Sequence, residues 1–198
     1  QPVCSLAGAA GTLAALGENA KDVVAAFQTI TGGSAASALP SHTSRSDVCH
    51  MACDWAVFAG HLGKIAKDIS LMAQTEIAEV AEPDAPGKGG SSTMPHKRNP
   101  VLCTMILANV QRTPGLAATM LAAMPQEHER AVGGWHAEWR TLVELFAAVG
   151  TALLHTVTLI EGLQVFPEKM RANIDITNGL VMAERVSMAL ASKIGRGE

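Results

Sequence analysis

The sequence predicts an all-α protein, built as a bundle of long antiparallel helices, on three observations. Apolar residues make up 48% of the 198 residues, yet aromatics are only 4% and Tyr is absent. Ala, Leu, Met and Val supply most of the apolar surface, and the unbranched side chains among them lose little rotamer freedom in a helix. Apolar positions recur in steps of three and four over long stretches, which is the helical period. No segment alternates apolar and polar residues long enough to read as a strand, and no internal repeat is visible.

Taken in order, residues 4 to 17 are small and glycine-rich and read as close-packed backbone ending in a turn at Gly17. Asn19 is placed to cap a short helix over about residues 20 to 30, which stops at Gly32-Gly33. A loop of Gly, Ser and Ala follows, to Leu39-Pro40. A long helix is predicted from about Ser44 to Glu79, with Ser44 as N-cap and Asp47 in the first turn. Its stripe is Val48, Met51, Trp55, Phe58, Leu62, Ile65, Ile69 and Met72.

Residues 83 to 98 break the period, with three prolines and three glycines. A second helix should start near Asn99 or Pro100, with Pro at the favoured first position, and run to about Ala123 with a bend at Pro114. After an irregular stretch from Met124 to His136, a third helix spans about 137 to 164. Its apolar residues are Leu142, Leu145, Phe146, Val149, Leu153, Val157 and Ile160. Pro167 opens a short turn, and a last helix covers about 178 to 194. The expected organisation is a partial central bundle over 1–164 and the start of a C-terminal helical domain over 165–198. Wide apolar faces on three long helices call for partners to bury them.

The net charge of −3 gives no reason to expect nucleic acid or an anionic membrane as partner. Cys49 and Cys53 sit four apart on a helix, but no second close pair completes a zinc set, so the cysteines read as free thiols of a reducing compartment. No membrane span or signal peptide is read. Gln1 is not an initiator Met and the chain closes in helix-like sequence, so a piece of a longer protein is expected.

The chemistry concentrates in residues 87 to 100, Gly-Lys-Gly-Gly-Ser-Ser-Thr-Met-Pro-His-Lys-Arg-Asn-Pro. Glycines let the backbone approach a ligand, hydroxyls and cations follow, and a helix begins where free N–H groups and the dipole favour an anion. The stretch reads as an anion-binding loop. It is not a phosphate loop of the nucleotide-binding type, because the glycine spacing, the Lys-Ser/Thr ending and a preceding strand are missing.

Residues 90 to 100, GSSTMPHKRNP, resemble the signature loop of the fumarase/aspartase superfamily, roughly G-S-S-x-M-P-x-K-x-N-P. That resemblance implies a helical homotetramer with shared active sites, and chemistry through a carbanion beside a carboxylate. It implies Ser91 as the catalytic acid or base at the α-carbon, Lys97 and Asn99 as holders of the substrate carboxylate, and Ser92, Thr93 and Met94 as pocket lining. Charge that develops on carboxylate oxygens in the transition state is what a lysine, an amide and backbone N–H groups can stabilise. A serine needs such a positive setting to act.

The loop is common to several branches, adenylosuccinate lyases included. Residues 6–16, residues 60–83 and above all AMPQEHERAVGGWHAEW, 123–139, resemble the bacterial carboxymuconate cycloisomerases. The reaction implied is lactonisation of a tricarboxylate in aromatic catabolism, without metal or organic cofactor, in the cytoplasm. Lys88, His96, Arg98 and Arg45 become candidates for the further carboxylates. One departure stands out: the segment His42 to Arg45 is usually preceded by Trp in that branch and here by Ser41, which points toward an altered substrate such as a sulfo-analogue. A non-catalytic scaffold, as in lens crystallins, is argued against by intact Ser91, Lys97 and Asn99. Residues 1 to 198 alone are expected to be inactive, because the family's sites take residues from three subunits. His136 and His128 read as structural or interfacial, and His50, His61 and His155 as packing or solvated.

Overall fold

The computed structural model describes residues 3–4, 6–35, 42–84, 94 and 98–195, and it is all-α. Seven α-helices are described: α1 Ala20–Thr31, α2 Ser46–Met72, α3 Val101–Val110, α4 Thr113–Ala122, α5 Gly134–Glu161, α6 Pro167–Asp175 and α7 Ala183–Ile194. Extended structure among the described residues is confined to two-residue pairings. β1 (Val3–Cys4) runs parallel to β2 (Ser34–Ala35), and β3 (Val80–Ala81) antiparallel to β4 (Gln164–Val165).

Helix boundaries follow local chemistry. Helix α1 stops at Gly32, which takes the left-handed conformation at φ 65°, a place where a side chain would be strained. Asn19 precedes it, but its side chain makes no capping hydrogen bond, so the predicted cap is not formed. Helix α2 is 27 residues long, shorter than predicted, and spans about 40 Å at 1.5 Å per residue. It gives way to turns over residues 73–77 and to Ala78 at φ 50°.

The predicted second long helix is two helices. Pro114 has no N–H to give to the Val110 carbonyl, and the Thr113 hydroxyl takes that carbonyl at 2.9 Å. The chain therefore breaks after Val110 and restarts with Pro114 in the first turn of α4. Pro167 likewise opens a helix, α6, rather than a short turn, for the same reason that proline suits a first turn.

The chain forms two compact units, residues 1–63 with 106–153, and residues 64–105 with 154–198. In the first, Cys49, Ala52 and Ala59 of α2 pack with Met120, Leu145 and Val149, flanked by Val48, Trp55, Val110, Leu116 and Leu142. The buried line of α2 is thus set mainly by small residues, whereas Phe58 and Ile65 of the predicted stripe are exposed. Small side chains let helix axes approach closely, and of the bulky ones Leu62 and Ile69 are buried with them.

Helix α5 behaves the same way. Leu145, Ala148, Val149, Ala152 and Leu159 are buried, while Phe146, Leu153, Val157 and Ile160 are exposed. By length and composition alone α5 could cross a membrane, with mean hydropathy 1.7 in its most apolar window. An apolar helix with one face in a core and a second left bare has the same composition.

In the second unit, β3 pairs with β4, the Phe166 N–H donates to the Glu79 carbonyl at 2.9 Å, and Asn173 Nδ2 donates to Ile77 O and Glu79 Oε1 at 2.9 and 2.8 Å. These bonds hold α6 to the segment that leads into residues 82–84.

Candidate functional site

Of the residues predicted to carry chemistry, Lys88, Ser91, Ser92, Thr93, His96 and Lys97 lie outside the described residues. Met94, Arg98, Asn99 and Arg45 lie within them, the first three exposed and Arg45 half-buried. Arg45 belongs to the first compact unit and the other three to the second.

In the second unit, the start of α3 is organised by a residue that the sequence reading did not single out. Glu82 Oε2 accepts the Leu102 N–H at 2.9 Å, and Oε1 accepts the Cys103 N–H at 2.8 Å. The Val101 N–H donates to the Asn99 carbonyl at 2.9 Å and the Thr104 N–H to the Pro100 carbonyl at 3.0 Å. Pro100 therefore lies just before the helix rather than at its first position. The expectation of free N–H groups at this helix start is corrected: the chain's own carboxylate fills that place. A carboxylate at a helix N-terminus satisfies open donors and complements the dipole at once. No short-range pattern could have shown it, because the partner is 20 residues upstream across a loop.

Cys103 is fully buried beside that carboxylate. Burial, and then the hydrogen bond and negative charge of Glu82, push its thiol up to about 12. It is a neutral thiol donating to Glu82, not a nucleophile. Asp84 pairs with Arg98 at 3.3 Å and accepts from Gln164 Nε2 at 3.0 Å. Arg98, a candidate cation, thus has an acidic neighbour in an exposed pair.

In the first unit, Arg45 is held by Glu138. Its Nε–H lies 2.9 Å from Oε1 and 3.1 Å from Oε2, and Nη2 donates to Oε2. Gln126 Nε2 donates to the same carboxylate at 2.8 Å and to the Ala123 carbonyl at 3.1 Å. Glu138 is 2% exposed, so this is a buried, multiply bonded pair. Glu138 was legible in principle. It occupies a position on the buried line of α5 that continues through Thr141, Leu145 and Ala148, where an acid needs a partner.

His42 stands beside the pair, with its ring edge-on to Trp135 at 4.4 Å. Trp135 also meets His136 and Trp139 and carries the Arg130 guanidinium over its face at 4.9 Å. His136, read as structural, is thus one ring in an aromatic cluster, and the His128 carbonyl accepts from the Thr43 hydroxyl. Burial, with the Arg130 and Arg45 charges, holds His42 below the ordinary imidazole range, against an opposing pull from Glu138. His42 Nε2 and Gln126 Oε1 are buried and find no partner among the described residues.

Among the described residues no group of three or more His, Cys, Asp and Glu side chains could hold a metal ion. Cys49 is buried, its thiol raised first by burial and then by the Glu138 charge, and its Sγ–H points to the Met120 carbonyl at 3.4 Å. That makes Cys49 part of the core between α2 and α4.

Comparison with known proteins is consistent across sequence and structure. The lyase family matches residues 2–115. The 3-carboxy-cis,cis-muconate cycloisomerase of Pseudomonas aeruginosa is 52% identical over 194 residues, covering 98% of this chain and 42% of that protein. The structure of the 3-carboxy-cis,cis-muconate lactonizing enzyme from Pseudomonas putida superposes with a TM-score of 0.86 at 48% identity, over 98% of this chain and 43% of that one. The fumarate lyase from Mesorhizobium sp. BNC1 gives 0.83 at 39% identity, over 98% and 42%. The chain spans less than half the length of these relatives. With more than half of the chain inside the lyase match, and with a signature loop at residues 90–100, this chain belongs to the lyase family of the fumarase/aspartase superfamily.

Proposed function

We propose that this chain serves in a cycloisomerase that closes 3-carboxy-cis,cis-muconate to a carboxymuconolactone, in the β-ketoadipate route of aromatic catabolism. The observation that carries the reading is the loop GSSTMPHKRNP set in a chain 52% identical to a named cycloisomerase of that substrate. In this reading a carboxylate oxygen of the substrate adds to a carbon of the conjugated system. The C–O bond forms, the π pair moves toward the adjoining carboxylate, and the carbanion is quenched by a proton from Ser91. Lys97 and Asn99 hold that carboxylate while its oxygens carry the charge, a stabilisation realised most fully in the transition state.

Because the first N–H groups of α3 are already bonded within the chain, the anion's charge falls to loop side chains. Ser92, Thr93 and Met94 line the pocket, and Lys88 and His96 serve the further carboxylates. Arg45 has a different role in this account. Glu138 cancels its charge, so it offers hydrogen-bond donors rather than a positive field. No metal or organic cofactor enters the scheme.

The enzyme acts as a homotetramer in the cytoplasm, with sites shared between subunits. Residues 1–164 belong to its central bundle and 165–198 open its C-terminal domain. The bare apolar line Phe146, Leu153, Val157 and Ile160 on α5 supports such an assembly, because a face of that kind needs a cover.

Ultraviolet absorbance decides between substrates. The full-length enzyme should consume 3-carboxymuconate and leave adenylosuccinate unchanged; turnover of adenylosuccinate alone would replace this reading with that lyase's. Consumption of a sulfomuconate in preference would tie Ser41 to an altered specificity.

A further inference from the structure

Side chains within residues 82–84 bond to residues 98, 102 and 103. Glu82 reaches across 20 and 21 residues to the Leu102 and Cys103 amides. Asp84 meets Arg98 and Gln164. Pro83 between them lies against Gly162, where an added Cβ would stand 2.5 Å from the proline ring, so only glycine permits that approach.

These contacts are not equal. Asp84 and Arg98 are mostly exposed, and such pairs contribute little. Glu82 makes two charge-assisted bonds in a part-buried setting beside the fully buried Cys103. From residue 99 to residue 104 the backbone is then one hydrogen-bonded piece. Asn99 O takes the Val101 N–H, Pro100 O takes the Thr104 N–H, and Glu82 takes the two amides between.

We infer that Glu82 is a positioning residue: by clasping the Leu102 and Cys103 amides it fixes the first turn of α3 and, through it, the place of Asn99. The inference rests on the proposed role of Asn99 in holding substrate carboxylate. Without the carboxylate, both amides pass to water, the first turn frays, and Asn99 loses its fixed register against the substrate. A misplacement of about 1 Å in a positioned group costs on the order of 100-fold in rate.

The test is a double-mutant cycle in the full-length enzyme, read as kcat and KM for 3-carboxymuconate. Glu82→Ala should lower kcat/KM by about 10- to 100-fold. Glu82→Gln, which keeps one acceptor for one of the two amides, should recover part of the loss. If Glu82 acts through Asn99, then Glu82→Ala added to Asn99→Ala should cost less than about 2-fold more. Hydrogen exchange supplies the second readout: the amides of residues 102 and 103 should lose protection in Glu82→Ala while the α4 amides keep theirs.

Full activity in Glu82→Ala, or losses that multiply independently in the double variant, would overturn the inference. A wild-type enzyme that leaves 3-carboxymuconate untouched would refute the functional reading instead. In that event the exchange data still judge the clasp, and unchanged protection at residues 102 and 103 would remove it.

Discussion

Glu138→Ala should be among the most damaging single substitutions in the first compact unit, and its size can be worked from the geometry. Glu138 is 2% exposed and accepts from Arg45 Nε and Nη2 and from Gln126 Nε2. Truncation leaves the Arg45 guanidinium, whose side chain is 16% exposed, without a counter-charge in a site that water barely reaches. Breaking one half of a buried pair costs about 3–5 kcal/mol. Residual access to Arg45 argues for the lower end, about 3 kcal/mol, since partial solvation offsets part of the loss. For a chain of this size that is a fall of roughly 6–12 °C in Tm.

Replacing both partners with apolar residues of similar volume, Arg45→Met with Glu138→Leu, removes the orphaned charge. It should bring stability back to within about 1 kcal/mol of the parent protein. Urea unfolding followed by circular dichroism on Glu138→Ala and on the four proteins of the Arg45→Met, Glu138→Leu cycle gives both numbers. A loss under about 1 kcal/mol for Glu138→Ala would mean that the pair is solvated after all. A double variant as unstable as the sum of the singles would mean that the two side chains are not coupled.

Two further expectations follow from the same structure. Cys103 has its folded value pushed up to about 12 from an ordinary 9.0, so ionisation opposes the fold: its contribution is complete below pH 9 and is lost as pH rises from there toward 12. The Cys103→Ala variant should show a flatter alkaline stability profile over that window, and native Cys103 should resist thiol reagents at pH 8 until the chain unfolds; rapid labelling of the folded protein would contradict its burial. Met120 is fully buried among Cys49, Ala52, Ala59, Leu145 and Val149, so Met120→Ala should cost about 2–5 kcal/mol in denaturant unfolding, and a loss under 1 kcal/mol would show that the surroundings collapse into the space.

The helical class and the positions of the long helices were legible because periodicity and composition act locally. The buried face of each helix was legible in part: Leu62 and Ile69 of the α2 stripe and Leu145 and Val149 of the α5 stripe are buried. On α2 the small residues Cys49, Ala52, Ala59 and Ala66 are buried beside Leu62 and Ile69, whereas Phe58 and Ile65 of the same predicted stripe are exposed; close packing of helices favours small side chains, which no apolar period singles out. The break at Val110 was read as a bend because Pro114 alone does not say whether the carbonyl it frees finds another donor; the Thr113 hydroxyl supplies one. In the candidate site, the motif over 90–100 was plain in the sequence, and the family it indicates is the one to which the chain belongs. Glu82 acts on amides 20 and 21 residues away with no local pattern to join them, whereas Glu138 was legible only as a buried acid on α5, its partner Arg45 lying 93 residues away. Arg45 was singled out for its charge, and only the three-dimensional pairing with Glu138 shows how little of that charge is free.

The proposed reaction stands on Ser91 as its proton donor. The most direct test is the turnover of 3-carboxymuconate by full-length Ser91→Ala, measured by ultraviolet absorbance beside a circular dichroism melt. The account predicts an unchanged melt with kcat lower by about 100-fold or more, the scale of a lost general acid; a variant that melts like the parent protein and turns over at the parent rate would contradict it.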